Sequence, residues 1–354
     1  MKSRVLASIQ TIKSAELIPN ADAIVKVNFV NMFWTCVMKK PDAIPGKRVV
    51  YFEIDSLLPK DRTEFNFMAA KGWKVKTIKL KGQISQGLAL PFSELPDLRQ
   101  LENKPDGFDL TTELGVRKYE APEDGDASSK KKPFPSFIQK TDEERAQNMK
   151  ESEMAAILTQ HDLHATVKLD GSSATFYLFN GEFGVCSRNL DFGDGKESIS
   201  STFEESFFDM ARTFGIEERL RSLNRNISIQ GEIIGPDFNG NRVKHPHVDL
   251  FIFTAQDLDK GCRMTHEELI ELVRELNNQP LEAKYGRKPA KDIKLVPYAG
   301  LFKAGTLKGF EDLLKVSEGT FIISNAMREG LVFRHGRDIS FKMINPKYLL
   351  KNNI

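Results

Sequence analysis

A lysine, an acid and a glycine stand together in Lys168-Leu169-Asp170-Gly171, inside the run ATVKLDGSSATFYL (165 to 178). Read as a strand, the run places Thr166, Lys168 and Asp170 on one face and Val167 and Leu169 on the other. Such a pair is either a surface ion pair or the edge of a site. Further charged residues interrupt apolar runs in the same half of the chain: Glu232 in SIQGEIIGP, Glu329 in MREGLVFR, and Lys342 and Lys347 in ISFKMINPKYLLK. One such residue is ordinary on a half-buried strand, but several at strand ends point to shared chemistry. A strand lysine that is partly desolvated has a lowered pKa and becomes a nucleophile near neutral pH. Carboxylates such as Asp170, Glu232 and Glu329 suit a hard divalent ion that keeps several of its waters, as magnesium or manganese does, so their metal contacts are expected largely through water. Lys342 and Arg188 supply charge that neutralises a phosphorus under attack. Together these side chains describe attack of a lysine on a nucleoside triphosphate.

The elements that must position them are mixed. Strands are predicted at 165 to 178, 182 to 187, 227 to 234, 249 to 255, 330 to 335 and 338 to 343, and helices within 202 to 224, 265 to 277 and 308 to 318. The first 92 residues differ, with short β segments separated by turn signals such as Pro45-Gly46, which suggests a small barrel. Between the two lies a stretch rich in proline, glycine, serine and charge, read as a linker over 116 to 136 that includes Lys130-Lys131-Lys132. The expected division is therefore 1 to 115, an N-terminal barrel; 116 to 136, the linker; and 137 to 354, an α+β domain.

Composition sets the remaining bounds. Apolar content of 40% and charged content of 28% describe a soluble globular protein. The 51 basic and 49 acidic residues leave a formal charge of +2, so any surface for a polyanion must be local. One candidate is KGWKVKTIKLKG (71 to 82), where Lys74, Lys76, Lys79 and Lys81 are interleaved with Trp73, Val75, Ile78 and Leu80. That pattern fits both a basic groove for nucleic acid and an edge strand guarded by lysines. Cys36, Cys186 and Cys262 lack metal or disulfide spacing, and no run reaches the roughly 20 apolar residues of a membrane span. A reducing compartment, cytoplasmic or nuclear, is expected, with no membrane partner and nothing that demands more than a monomer.

The motifs, taken in order, resemble a known family. KLDG, SRN (187 to 189), GEIIG, FIF (251 to 253), EGLVFR and SFK resemble motifs I, Ia, III, IIIa, IV and V of the covalent nucleotidyltransferases, which comprise ATP-dependent RNA and DNA ligases and mRNA capping enzymes. IPNADAIVKVNF, IPGKRVVYFEIDSLLP, GQISQGLALP and PFPSFIQKTDEERAQN look like the N-terminal OB module and pre-motif segment of the RNA ligase 5 family. The resemblance implies an α+β fold: a small OB-fold barrel, then an ATP-grasp-like nucleotidyltransferase domain with antiparallel sheets. It implies an ATP-dependent RNA ligase that seals 3′-OH/5′-phosphate nicks in duplexes with an RNA 3′-OH strand, using magnesium or manganese. DNA ligases and capping enzymes carry a further OB domain after motif V, for which the remaining chain leaves no room; a non-catalytic RNA-binding scaffold is the other alternative.

In this reading Lys168 attacks the α-phosphate of ATP, Glu232 contacts the ribose or the metal's waters, and Phe253 stacks on adenine. Arg188 holds phosphate or the 3′-terminal ribose, Asp170 and Glu329 complete the metal's outer shell, Lys342 contacts the AMP phosphate, and Lys347 joins the nucleotide-binding set. Two positions depart from the family pattern. Ser340-Phe341-Lys342 keeps only the second lysine of motif V, and Thr254 stands where an aspartate often follows the stacking ring, which leaves Phe251 as an alternative to Phe253.

Overall fold

The computed structural model describes residues 4–119, 132–195, 202–279 and 290–354. Its N-terminal part contains β1 (Ala7–Ile18), β2 (Ala21–Phe29), β3 (Thr35–Lys39), β4 (Arg48–Phe52), β5 (Thr77–Leu80), β6 (Gln83–Gln86) and β7 (Leu88–Pro91). Strict alternation decides which way β2 faces: Val25, Val27 and Phe29 point into the core. The first half of β1 pairs with β4 and its second half with β2, with a register shift between Ile12 and Ser14 where the strand turns. Bending one long strand between two partners curls the sheet, in the order β3-β2-β1-β4-β7, into the OB-type barrel expected from the sequence. The lysine-rich run holds only one short strand, β5, which forms a hairpin with β6.

The C-terminal part is built from two antiparallel sheets. One has at its centre β9 (Ser172–Phe179), β10 (Glu182–Cys186), β11 (Ile227–Ile234) and β12 (Asp249–Asp257), in the order β10-β9-β11-β12. The other joins β8 (Leu163–Lys168), β13 (Tyr298–Phe302), β14 (Gly330–His335) and β15 (Ile339–Ile344), in the order β15-β14-β8-β13, with Glu144–Arg145 added in parallel beside β15. Helices α2 (Thr202–Thr213), α3 (Ile216–Ser222) and α4 (His266–Asn277) cover the first sheet, burying Phe207, Phe214, Leu220, Leu272 and Leu276. The helical run 202 to 224 is divided because Gly215 adopts φ 55°, which ends the first helix. A capping box, Thr265 with Glu268, starts α4. A second core lies between the sheets: Ala165, Val167 and Leu169 meet Ile234 and Phe251 there. Helices α1 (Glu151–Gln160) and α5 (Phe310–Ser317) pack against it, while α6 (Pro346–Asn352) places Leu349 in the barrel core.

The expected single strand over 165 to 178 is two strands in different sheets. β8 ends at Lys168, which pairs with Gly330, and β9 begins at Ser172, which pairs with Ile233. Gly171 allows the crossing, since a Cβ there would lie 2.1 Å from the Ile233 carbonyl oxygen. The segment 116 to 136 is tied in at both ends: Val116 belongs to the N-terminal core, Arg117–Lys118 pairs with Ser56–Leu57, and Lys132–Pro133 pairs with Leu190–Asp191. Lys130 and Lys131 lie outside the described residues. Among the described residues no helix is long and apolar enough to cross a membrane.

Candidate active site

The site forms where the two sheets meet. Lys168, at the last position of β8, donates to Glu329 Oε2 at 2.7 Å, and Glu329 precedes the first residue of the neighbouring strand β14. Gly330 lets β14 lie close against β15, because a Cβ there would come within 2.1 Å of the Met343 carbonyl oxygen. Glu232 faces the same space from β11 and accepts from the Gly171 amide at 2.9 Å. Burial alone would lower the Lys168 pKa, but Glu329, then Glu232 and Asp170, hold it above the ordinary value. The expected lowering of this pKa is therefore corrected: the amine is an ammonium in the ligand-free protein. The complement falls on the acids. Burial raises Glu232 to about 8 against the pull of Lys168, and raises Glu329 in the same direction.

Asp170 has a different setting from the two glutamates. It accepts from Arg242 Nη1 and Asn239 Nδ2, both at 2.9 Å, and from the Tyr348 hydroxyl. These three donors tie the KLDG turn to the loop after β11 and to α6. Among the described residues no group of three His, Cys, Asp or Glu side chains is arranged to hold a metal directly. Asp170 accepts from three side chains, whereas Glu232 accepts from the Gly171 amide and Glu329 from Lys168, so the two glutamates have more room for the waters of a hydrated ion.

The cleft in front of Lys168 is lined by Glu232, Phe253, Arg188 and Lys342, with Val332 and Val296 on its apolar wall. Phe253 reaches it through a β-bulge. Gln230 pairs with Thr254 and Gly231 with Ile252, so Phe253 is the unpaired extra residue of β12. Arg334 Nη1 donates to the Phe253 carbonyl at 2.6 Å, and Arg334 Nη2 is held by Glu143 at 2.7 Å. Phe251 is 4% exposed and packs in the core between the sheets, so Phe253 is the ring that faces the cleft. Lys342 Nζ donates to Asp142 at 2.9 Å, and Arg188 Nη2 lies 3.5 Å from the same carboxylate. Burial, opposed by Asp142 but aided by Arg145 and Lys168, brings Lys342 down to about 8.

The remaining sequence candidates are placed elsewhere. Lys347 sits exposed on α6 and pairs with Glu318 at 2.7 Å, outside the cleft lining, because the helix that starts at Pro346 turns it outward. The four barrel lysines divide into two pairs. Lys74 lies 3.8 Å over the Tyr119 ring and Lys76 donates to the Asn353 carbonyl at 3.0 Å, so both are committed to the protein, whereas Lys79 and Lys81 are exposed on the hairpin. Asp142, Glu143, Arg334, Arg242 and Tyr348 were not singled out by the sequence. Arg334 closes EGLVFR and the two acids lie in KTDEER, so their motifs were visible while their partners were not.

The amine at the sheet junction shares one cleft with Glu232, a half-buried ring and two cations, and the same chain carries an OB-type barrel, which is the arrangement expected of the nucleotidyltransferase class that the motifs resemble. Comparison with known proteins gives the narrower class. The RNA ligase family model matches residues 161–349, and an OB-fold domain model matches residues 6–92. Solved structures of the Naegleria gruberi RNA ligase are similar over nearly the whole chain. A point variant solved with ATP and Mn is 34% identical with a TM-score of 0.83, covering 100% of this chain and 99% of that chain. Another, with AMP and Mn, is 33% identical with a TM-score of 0.82 and coverage of 99% and 100%. The same ligase with PPi is 33% identical, TM-score 0.81, with 98% of each chain covered. No curated protein sequence matches. The chain belongs to the RNA ligase family.

Proposed function

We propose that this RNA ligase uses ATP to join an RNA 3′-OH to a 5′-phosphate at nicks in duplexes, through lysyl-AMP and RNA-adenylate, and acts as a monomer. The observation that carries the reading is Lys168 Nζ, 2.7 Å from Glu329 and facing Glu232 at the floor of a cleft that also holds Phe253, Arg188 and Lys342. That similar ligase structures were solved with ATP and Mn and with AMP and Mn supports the choice of nucleotide and ion.

The residues divide the work as follows. Lys168 Nζ must shed a proton before it can form a bond to the α-phosphorus as the α–β P–O bond breaks and pyrophosphate leaves. Glu329, hydrogen-bonded to that nitrogen and with a raised pKa, is placed to receive the proton. Phe253 offers its ring to the adenine, and Arg188 and Lys342 offset charge on the phosphates. Asp170, bound by Arg242, Asn239 and Tyr348, holds the turn that aims Lys168. A magnesium or manganese ion, held through water by Glu232 and Glu329, would supply further charge neutralisation at the α-phosphate. In the later steps an RNA 5′-phosphate oxygen takes the AMP from Lys168, and the 3′-OH then displaces AMP.

Incubation with α-labelled ATP and a divalent ion is expected to leave label on the wild-type protein and none on Lys168→Ala. A wild-type protein that stays unlabelled with either ion across pH 6 to 9 would refute the reading. Sealing of nicks with RNA or DNA on each strand then tests the substrate.

A further inference from the structure

Asp142 lies on the irregular segment ahead of Glu144–Arg145, where the cleft around Lys168 opens into a groove of about 750 Å³ between the two parts of the chain. Three cations from separate stretches converge on its single carboxylate. Lys342 Nζ is 2.9 Å from Oδ1, Lys118 Nζ is 3.0 Å from Oδ2, and Arg188 Nη2 is 3.5 Å from Oδ2. Lys118 comes from the strand paired with Ser56–Leu57, Arg188 follows β10, and Lys342 is in the middle of β15. The neighbouring acids are engaged elsewhere: Glu143 holds Arg334 at 2.7 Å, and Glu144 accepts from Asn148 at 2.6 Å. One negative charge therefore faces three positive ones. Lys342 is also the most buried of the three: burial first, then Arg145 and Lys168, bring its pKa to about 8 against the pull of Asp142.

We propose that Asp142 is an internal stand-in for a phosphate group: it gathers Lys118, Arg188 and Lys342 into a phosphate site in the ligand-free protein and withdraws when a substrate phosphate enters. The proposal rests on the nucleotidyl-transfer reading and adds to it a site that spans both modules. A terminal phosphate brings up to twice the charge and three acceptor oxygens, which suits three separate donors better than two carboxylate oxygens do. Such a phosphate belongs either to the pyrophosphate portion of the nucleotide or to the 5′ end of the RNA.

Asp142→Asn keeps the shape and removes the competing charge. Calorimetry on the full chain is expected to show inorganic pyrophosphate bound roughly fivefold or more tightly by this variant, and adding Lys118→Ala is expected to cancel the gain. A parallel arm compares nicked duplex RNA carrying a 5′-phosphate with the same RNA carrying a 5′-hydroxyl. A gain limited to pyrophosphate assigns the site to the leaving group, and one limited to 5′-phosphate RNA assigns it to the RNA end. Unchanged or weaker binding of both ligands overturns the proposal. Asp142→Ser provides the same readout should the asparagine variant fold poorly. Binding is measured without turnover, so a wild-type protein that takes no label would sink the ligase reading alone, whereas a labelled wild type with no gain in Asp142→Asn would sink this one alone.

Discussion

Lys168, Glu329 and Glu232 hold one another in a state that no one of them would adopt alone. The ammonium is kept charged by acids that burial would otherwise neutralise. This sets a pH dependence. The Glu232 pKa is raised from 4.5 to about 8, so the stability its neutral form contributes is full below about pH 4.5 and is lost as pH climbs through about 8. Glu232→Gln is therefore expected to melt higher than wild type at pH 9 and like wild type at pH 4.5, while adenylylation falls at every pH. Equal melting temperatures at both pH values would contradict this. At this scale much was legible in the sequence: Lys168, Glu232, Phe253, Arg188 and Lys342 line one cleft, as their motifs implied. The partners were not legible, because Asp142, Arg242 and Tyr348 reach the site from distant positions, and nothing in EGLVFR announces that Arg334 bonds Glu143.

Among the elements, β12 shows why a pattern of alternation is not enough. Phe251 and Phe253 are two apart and would share a face in a regular strand. Both rings do turn toward the core between the sheets, but Phe251 lies inside it and Phe253 at its edge, where the cleft opens, so alternation gives the face and not the depth. Phe251→Ala is expected to cost about 3–5 kcal/mol of unfolding free energy, with ATP binding little changed in the folded fraction. Phe253→Ala is expected to spare the fold and weaken ATP binding by about 1–3 kcal/mol. Paired denaturant melts and nucleotide titrations separate the two. The same limit explains the run 165 to 178, where the alternation continues through a change of sheet. A period of two records which way side chains face and is blind to which sheet receives them.

For the whole molecule, the barrel is held to the ligase domain by a buried ionic clamp rather than by a tether alone. Arg145, 8% exposed, donates to Asp55 at 2.8 Å, lies 3.5 Å from Glu53, and stands over the Trp34 ring at 5.8 Å. Ile344 and Leu349 of the C-terminal part pack into the barrel core beside Trp34. Arg145→Ala leaves two acids with Arg4 as their remaining guanidinium, and is expected to destabilise by about 1–3 kcal/mol. Urea melts followed by Trp fluorescence and by circular dichroism should then cease to coincide, as the barrel and the ligase domain begin to unfold separately. Coincident curves at the wild-type midpoint would show that the apolar contacts suffice.

The chain changes sheets across the three residues that follow Lys168, so its amine sits on the seam between the two sheets. A shift of one sheet against the other would therefore carry the amine, on β8, relative to Glu232, on β11. Under the proposed function, a change in that separation is expected to change the rate of adenylylation at Lys168.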